Sequence, residues 1–325
     1  MPRHNTPRRG SLQFWPRTRA KKLLPSANWP ALEKEKRKPG ILGFIAYKVG
    51  MQNAIVKDNT EHSLTKGKKI AIPATILEVP AMKIFSIRFY KHNQPIKEVI
   101  VSGDKELKTR LKLPKQQIKK EETEKKIDEI KDYDDIRVLI YSLVNQTGIK
   151  KRPDIVEFGL SGSRDEKLNL VKQFLNKEIS LSDILEIFSD KIVDIRGVTK
   201  GKGFQGPVKR FGIRLRFHKS EKGLRKVGSI GPWHPARVMF TVPMAGQMGL
   251  FTRLSYNNKI VARGRISEND INPQEGWKHY GKIKTDYLIL QGSVQGPKKR
   301  ALLLTIPLRP TKKQIKKNYE FLELR

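Results

Sequence analysis

The chain of 325 residues is 37% hydrophobic, which is enough to bury a core and excludes a wholly disordered protein. Its formal net charge of +35 implies a bound polyanion, and we prefer nucleic acid to a membrane because the sequence has no apolar run of about 18 residues and no basic amphipathic helix. The lack of cysteine excludes disulfides, thiol nucleophiles and cysteine zinc sites, and without an apolar signal region at residues 1–9 we expect a cytoplasmic protein.

The first forty residues form a basic, proline-rich segment. They contain eleven Lys or Arg, two acids and six prolines. Because proline lacks a backbone N–H and does not continue a helix or a central strand, residues 1–40 are predicted to be an extended basic N-terminal tail. The large aromatics Trp15 and Trp29 cannot pack within such a tail. They either dock on the globular body or help to wedge the tail into folded RNA.

Short apolar runs between Gly, Pro and Asn indicate a β-rich body over residues 41–103 and 190–310. In residues 82–90, apolar and polar side chains alternate with the period of a strand. Further strands are predicted at 41–47, 53–56, 70–79, 281–291 and 301–308. Several short strands of this kind are typical of a sandwich or a barrel. Pro73 would place its strand at an edge or a bulge, and residues 311–325 are predicted to be a C-terminal tail, either a short helix or frayed.

Residues 104–189 differ from the rest and are predicted to be an α+β insertion. The block 104–195 has nineteen basic and nineteen acidic residues, so it is neutral. The sequence predicts a solvated helix anchored by Ile118, Ile127 and Ile130, a buried strand, an amphipathic helix and a short capped helix. These lie at 115–135, 136–144, 164–176 and 180–185. Because positive charge is concentrated outside the insertion, we expect the insertion to face solvent or protein and the remainder to face the polyanion.

The greatest concentration of charge lies in residues 196–265, with sixteen Lys or Arg and one acid, Glu221. Gly and Pro interrupt this stretch, and single aromatics stand among its cations. Cations can neutralise phosphates, glycines let the backbone approach closely, and flat rings can stack on bases. Residues 198–265 are therefore predicted to be a basic central extension that contacts RNA. Trp233, between prolines, either packs back on the body or presents its ring at a rigid loop tip.

Features that would indicate an enzyme are weak. Gly201, Gly203 and Gly206 match the spacing of a dinucleotide-binding loop, but Pro207 and an alternating run follow in place of a helix. The six histidines form no helical i, i+4 pair, and the central extension has almost no acids for acid–base chemistry. The sequence therefore predicts no catalytic residue, no metal, no cofactor and no small-molecule substrate. An RNA-modifying enzyme and a non-ribosomal RNA-binding protein are the alternatives.

Several strings of residues point to a known family. They are GSLQFWPRTRA at 10–20, GVTKGKGFQG at 197–206, GLRKVGSIGPWHPARVM at 223–239, AGQMG at 245–249, HYG at 279–281 and GPKKR at 296–300. The chain resembles the large-subunit ribosomal protein three family, in its archaeal and eukaryotic form, over nearly its whole length. The longer strings are far more specific than a three-glycine spacing. The general brevity of the chain and the lack of a long Lys-rich C-terminus favour an archaeal-type member.

The resemblance implies a translation-protein-type β-barrel on large-subunit ribosomal RNA, with the N-terminal tail and the central segment as two extensions into the RNA. It implies that Trp233 lies at the tip of the central extension, near the peptidyl-transferase region. It also implies a role in early subunit assembly, other large-subunit ribosomal proteins as neighbours, and a cytoplasmic location in the large ribosomal subunit. No membrane partner is expected.

The candidate RNA-binding residues are cations and rings of the tail, of the central extension and of the basic turn at 296–300. They are Arg8, Arg9, Trp15, Arg17, Arg19, Lys21, Lys22, Lys200, Lys202, Lys209, Arg210, Arg214, Arg216, Lys222, Arg225, Lys226, Trp233, His234, Arg237, Lys298, Lys299 and Arg300.

Overall fold

The computed structural model describes residues 7–33, 38–113, 120–130, 132–185, 188 and 191–325. The chain divides into two compact units. Within the described residues, the smaller unit comprises 7–22 and Val198–Thr252, and the larger unit comprises the rest. Residues 7–22 of the predicted tail and 198–252 of the predicted central extension therefore belong to one unit, whereas the described residues 23–33, 38–40 and 253–265 of these segments belong to the larger unit.

The structure is mainly β, as the sequence predicts, with short helices. Along the described residues the strands are β1 (Gly40–Ile41), β2 (Gly43–Asp58), β3 (Lys69–Val79), β4 (Met82–Lys91), β5 (Gln94–Ile100), β6 (Asp135–Ser142), β7 (Ile155–Ser161), β8 (Ile192–Val198), β9 (Phe204–Gln205), β10 (Gly246–Gln247), β11 (Thr252–Arg265), β12 (Asp286–Gln291), β13 (Ala301–Thr305) and β14 (Tyr319–Leu324). The α-helices are α1 (Trp29–Glu33), α2 (Lys120–Asp128), α3 (Arg164–Gln173), α4 (Leu181–Leu185), α5 (Pro207–Phe211) and α6 (Lys312–Lys316). Short 3₁₀ helices cover Lys105–Thr109 and Val144–Thr147.

A seven-stranded sheet has the order β13-β8-β11-β12-β3-β2-β14. The first half of β2 is buried throughout and pairs with β13, whereas its second half alternates between buried and exposed residues and pairs with β14. The other edge of β2 pairs with β3. β13, at one end of this order, pairs with β8 and also with β2, which lies next to the other end. The C-terminal residues, predicted as a short helix or a frayed tail, form α6 and then the strand β14.

Pro73 lies inside β3, which has partners on both sides, so its predicted edge or bulge position is wrong. Pro73 is aligned with Asn53 of β2. On the other side, pairing with β12 stops at Ala74, and the Pro73 carbonyl accepts a hydrogen bond of 2.8 Å from the Gly292 N–H. Because the N and O of one strand residue point to the same side, the proline nitrogen faces Gly292, just beyond the end of β12, and the Gly292 carbonyl accepts instead from Thr75 Oγ1 at 2.6 Å.

A five-stranded sheet has the order β1-β7-β6-β4-β5. β6 and β7 come from the predicted insertion, and β4 and β5 precede it in the chain. β6 confirms the buried strand predicted at 136–144, although it ends at Ser142. Tyr47 of β2 ties the two sheets together, because its hydroxyl donates to Asp154 Oδ2 at 2.7 Å and lies 2.7 Å from Ser142 Oγ.

The solvated helix of the insertion ends earlier than predicted. Residues 115–119, including the predicted anchor Ile118, lie outside the described residues, and α2 ends at Asp128. Ile127 is buried and Ile130 is partly buried, as expected for its anchors. The helix cannot reach 135 because Asp135 already pairs with Tyr90 as the first residue of β6.

α3 and α4 begin at the capping residues visible in the sequence. Ser163 Oγ accepts from the Glu166 N–H, and the Ser163 N–H donates to the Glu166 carboxylate, which completes a capping box. Before α4, the Ser180 N–H donates to the Asp183 carboxylate at 2.8 Å. The structure therefore confirms both predicted helices, although α3 ends at Gln173 rather than 176.

Trp29 opens α1 and is 2% exposed, with its ring 5.4 Å from that of Phe158. A Cβ at Gly159 would lie 2.8 Å from the Trp29 Cβ, so glycine is needed for this close packing. Of the two roles expected for Trp29, the structure shows docking on the body. Among the described residues, the main hydrophobic core lies wholly within the larger unit.

Candidate nucleic-acid interface

The smaller unit carries a large excess of positive charge. Its sequence segments, 1–22 and 198–252, contain eighteen Lys or Arg, with Glu221 as their sole acid. Among its described hydrophobic side chains, only Val198, Phe211 and Phe251 are buried. The unit thus has little core and almost no carboxylates to pair with its cations. This combination is typical of a segment that binds a polyanion.

An aromatic clasp, formed by Trp15, Arg17, Phe211 and Phe240, joins the tail to the central segment. The Trp15 ring is stacked on Phe211, with centroids 6.5 Å apart and planes at 14°, and meets Phe240 edge-on at 5.6 Å. The Arg17 Cζ lies 4.4 Å from the Phe211 centroid, in cation–π distance. Two predicted RNA-binding side chains, Trp15 and Arg17, therefore contact protein rings.

Backbone contacts hold the same two segments together. The Ala20 N–H donates to the Leu250 carbonyl at 2.8 Å, and Arg8 Nη2 donates to the Thr241 carbonyl at 2.8 Å. Gly10 has φ +83°, and a Cβ there would lie 2.6 Å from Phe211. The tail therefore follows a defined path along the central segment, although its sequence shows no helix or strand pattern.

The chain after the three glycines folds as the helix α5, so the predicted alternating run is wrong there. Gly206 is its N-cap and Pro207 is its first residue, a position where the missing N–H and fixed φ of proline are compatible with a helix. α5 has only five residues and is followed by Gly212 at φ +64°. The glycines are explained by local turns, since Gly203 also has a positive φ of +67°.

Arg210 on α5 holds the backbone of residues 244–247. Its Nη1 donates to the Met244 carbonyl at 2.8 Å and its Nε to the Gln247 carbonyl at 3.0 Å. Burial lowers the pKa of Arg210. This predicted RNA-binding cation therefore positions the segment that pairs with β9.

The outer part of the central segment is open to solvent. Residues 231–240 are all exposed, and the Trp233 side chain is 88% exposed, so Trp233 is not packed in a core. His234 is exposed beside it. Arg216 Nη2 donates to the Val227 carbonyl, and the backbone N–H of Arg216 donates to the Leu224 carbonyl at 3.0 Å. These two hydrogen bonds link residue 216 to residues 224–227.

Most other predicted cations of the smaller unit are exposed. They are Arg9, Arg19, Lys21, Lys22, Lys200, Lys202, Lys209, Arg214, Lys222, Arg225, Lys226 and Arg237. Exposed side chains on a long basic stretch can reach phosphates without breaking protein contacts.

The basic turn at 296–300 lies in the larger unit. Lys298 Nζ donates to the Lys278 carbonyl at 2.5 Å, Lys299 is exposed, and burial lowers the pKa of Arg300. The structure therefore brings this turn together with the loop that contains Lys278.

The prediction missed several exposed aromatics among these cations. Phe204, Phe217 and Phe240 are exposed, and the Phe217 ring lies 4.1 Å from that of His218. The signal was available for Phe217, which stands between Arg216 and His218 in a stretch that has no core pattern.

Neither a metal site nor a membrane-spanning helix is found in the part of the chain that the structure describes. There, no group of three His, Asp or Glu is placed to hold a metal ion. Nor does any helix in those residues have the length and apolar character needed to cross a bilayer.

Comparison with known proteins gives one consistent result. A family model described as ribosomal protein L3 matches residues 1–324. The large ribosomal subunit protein uL3 of Methanobrevibacter smithii is 42% identical over 96% of this chain and 95% of its own length. Its counterparts are 41% identical in Methanocaldococcus jannaschii, over 96% and 94%, and 37% identical in Archaeoglobus fulgidus, over 95% and 94%. These relatives are archaeal, and a family of ribosomal proteins agrees with the prediction that the chain is not an enzyme. The chain belongs to the ribosomal protein L3 family.

Proposed function

We propose that the chain is a structural protein of the large ribosomal subunit and that its smaller unit binds large-subunit ribosomal RNA. The observation that carries the proposal is the Trp233 ring, 88% exposed among exposed cations, in a unit whose sequence has one acid. Membership in the L3 family supports it, as do relatives named as large-subunit proteins.

The cations supply affinity. Lys222, Arg225, Lys226 and Arg237 are exposed around the outer part of the central segment and have one acid near them in sequence, Glu221. Each phosphate they neutralise releases counterions, so log K should fall with log salt by about 0.7 to 0.9 per contact. RNA would also relieve the repulsion among these charges, because it places phosphates between them.

The exposed rings supply contacts that salt does not screen. A ring stacked on an unpaired base contributes about 1–3 kcal/mol. Trp233, Phe217 and Phe240 leave most of their apolar surface in water, and RNA that covers them removes this surface from solvent. Trp233 is the best placed for stacking because its neighbours are exposed as well.

The larger unit provides the platform in this proposal. In this unit β13 pairs with both β8 and β2, so the strand pairings lead from β2 through the sheet and back to β2. This pairing pattern supports a translation-protein-type barrel. Resemblance to the family supports the finer roles: early subunit assembly, the reach of Trp233 toward the peptidyl-transferase region, neighbouring ribosomal proteins as partners, and a cytoplasmic location in the subunit.

Cosedimentation with the large subunit after a high-salt wash tests the proposal. The full chain should remain bound, and a variant with Lys222, Arg225, Lys226 and Arg237 changed to Gln should be released at lower salt. As the control, the insertion variant changes four exposed lysines of the neutral insertion, Lys105, Lys108, Lys125 and Lys126, to Gln. It should be released at the same salt as the unchanged chain.

Two outcomes would favour the alternatives. A chain that never sediments with the subunit but binds folded RNA would be a non-ribosomal RNA-binding protein. A chain that binds a nucleotide cofactor in equilibrium dialysis, and loses it when Gly203 and Gly206 are changed to Ala, would point to an RNA-modifying enzyme.

A further inference from the structure

The larger unit carries a second concentration of positive charge, separate in sequence from the smaller unit. We name it the lysine surface. It lies on the connection between β2 and β3 (residues 59–68), on the start of β3 and on α6. Its members are the exposed residues Lys66, Lys68, Lys69, Lys312, Lys313 and Lys316.

The β2–β3 connection is an ordered structure built around the buried carboxylate of Asp58. This carboxylate accepts hydrogen bonds from the Thr60 N–H at 2.9 Å, from Ser63 Oγ at 2.8 Å and from Thr65 Oγ1 at 2.5 Å. The Gly67 N–H donates to the Asp58 carbonyl at 2.7 Å. Lysines on this connection therefore have fixed backbone positions, so less entropy is lost when they bind.

Asn318, in the link between α6 and β14, is bonded to the same connection. The Asn59 N–H donates to the Asn318 carbonyl at 2.9 Å, and the Asn318 N–H donates to Thr60 Oγ1 at 3.1 Å. From the other side, Lys259 Nζ donates to the Ile315 carbonyl at 3.3 Å. Lysines that are about 250 residues apart in the chain thus form one surface.

The lysine surface has more basic than acidic residues. Within 58–69 and 311–320 the acids are Asp58, Glu61 and Glu320, and the Asp58 carboxylate is already bonded to Thr60, Ser63 and Thr65. Among the described residues, none of the six lysines takes part in an ion pair. Lys69 stands directly opposite Lys57 in the β2–β3 ladder, and Lys57 in turn stands opposite Glu320 in the β2–β14 ladder. The excess of lysines over acids on this surface indicates a bound polyanion.

We propose that the lysine surface binds the phosphate backbone of double-helical RNA, as a second RNA contact of this chain. This inference rests on the proposed function, which makes RNA the partner. Leu64 is 98% exposed on the ordered connection, and it suits contact with riboses in the wide, shallow minor groove of an RNA duplex. A lipid surface is less suitable, because Leu64 and Ile315 are the only large apolar side chains exposed within 59–69 and α6, too few to hold a protein in a bilayer.

Salt-dependent RNA binding tests the inference. The lysine variant changes Lys66, Lys68, Lys313 and Lys316 to Gln in the full chain, and the insertion variant removes the same number of lysines elsewhere. Binding to a transcript of large-subunit ribosomal RNA is measured by filter retention over a range of salt. We expect the lysine variant to lose about tenfold in affinity and its salt slope to become less steep by about 2 to 3. Matching urea-unfolding midpoints would show that the variants remain folded.

The outcomes separate this inference from the proposed function. If the unchanged chain fails to bind the transcript, the proposed function fails. If it binds and the lysine variant has the same slope as the insertion variant, the lysine surface is not an RNA contact. Loss of binding to phosphatidylserine vesicles by the lysine variant, with unchanged RNA binding, would also overturn the inference, because it would assign the surface to lipid.

Discussion

Arginines in the five-stranded sheet and arginines in the smaller unit have different partners. In the sheet, Arg88 pairs with Glu98 at 2.8 Å and with Glu157 at 3.0 Å, and Arg137 pairs with Asp135 at 3.1 Å and with Glu157 at 3.3 Å. Burial disfavours the charged form of Arg88, but hydrogen bonds and charge interactions with Glu98 and Tyr90 together outweigh it and raise the pKa of Arg88. These two arginines are neutralised by carboxylates of the same chain.

In the smaller unit, three arginines have backbone carbonyls as partners. Arg8, Arg210 and Arg216 donate to carbonyl oxygens, which leave the positive charge uncompensated. Burial therefore lowers the pKa of Arg210, opposite to the shift at Arg88. The difference teaches that net charge is a poor guide to an RNA contact, and that the useful signal is a cation without a carboxylate of its own chain.

Two tryptophans give the largest expected contrast between the units. Trp29→Ala removes a buried ring and should lower the free energy of unfolding by about 3–5 kcal/mol. Trp233→Ala removes an exposed ring and should leave unfolding of the RNA-free chain unchanged, while RNA affinity falls by about 1–3 kcal/mol. Urea unfolding and RNA filter binding measure the two effects. A Trp233→Ala chain that unfolds as easily as Trp29→Ala would show that Trp233 has a packing role.

Internal carboxylates should make the larger unit sensitive to acid. Burial of Asp58 opposes its charge, but hydrogen bonds from Thr60, Thr65 and Ser63 outweigh burial and hold its pKa below the ordinary value of 3.8. A carboxyl with a lower pKa in the folded state stabilises the fold above the unfolded-state pKa, and this contribution is lost as the pH falls through the folded pKa.

We therefore expect Asp58→Asn to destabilise the chain by about 1–3 kcal/mol at pH 7, because an amide cannot accept the same set of hydrogen bonds. The difference from the unchanged chain should shrink as the pH falls below 3.8. Urea unfolding at several pH values measures it. A difference that stays constant down to pH 3 would mean that ionisation of Asp58 contributes nothing.

Local patterns predict the elements whose own residues decide their structure. The alternation in residues 82–90 predicts β4, the apolar run from 136 predicts β6, and Ser163 with Glu166 marks the start of α3. Each depends on a period or a cap within a few residues. Pro207 shows the limit of local patterns. Proline can precede an extended segment or begin a helix, and the alternating residues after it predicted an extended segment where the structure has α5.

The features that the sequence does not predict depend on contacts between residues that are far apart in the chain. Trp15 meets Phe211 and Phe240 from about two hundred residues away, and nothing near Trp15 indicates this. Pro73 is tolerated because β12 happens to end beside it. The lysine surface depends on hydrogen bonds between the β2–β3 connection and Asn318, which is about 250 residues away in sequence, and no local pattern indicates them.

The aromatic clasp should stabilise the position of the tail by less free energy than Asp58 contributes to the fold. Phe211→Ala removes the ring on which Trp15 and Arg17 lie, and such aromatic contacts contribute about 0.5–1.5 kcal/mol. We expect the amide of Ala20, which donates to Leu250, to exchange its hydrogen about five- to tenfold faster in the RNA-free chain. Phe217→Ala removes an exposed ring of the same unit and serves as the control. Equal exchange in both variants would show that the clasp does not hold the tail.

Substitutions of single arginines should have the smallest effects. They test most directly whether carboxylate partners distinguish the arginines of the five-stranded sheet from those of the smaller unit. Arg88→Gln removes the partner of Glu98 and Glu157 and should lower the free energy of unfolding by about 1 kcal/mol or less, since all three side chains are only partly buried. It should leave the RNA salt slope unchanged. Arg225→Gln should do the reverse, with unchanged unfolding and a slope less steep by about one. If Arg88→Gln changed the slope as much as Arg225→Gln, carboxylate partners would not distinguish structural cations from those that bind RNA. The two units would then differ only in the amount of charge, and not in how that charge is neutralised.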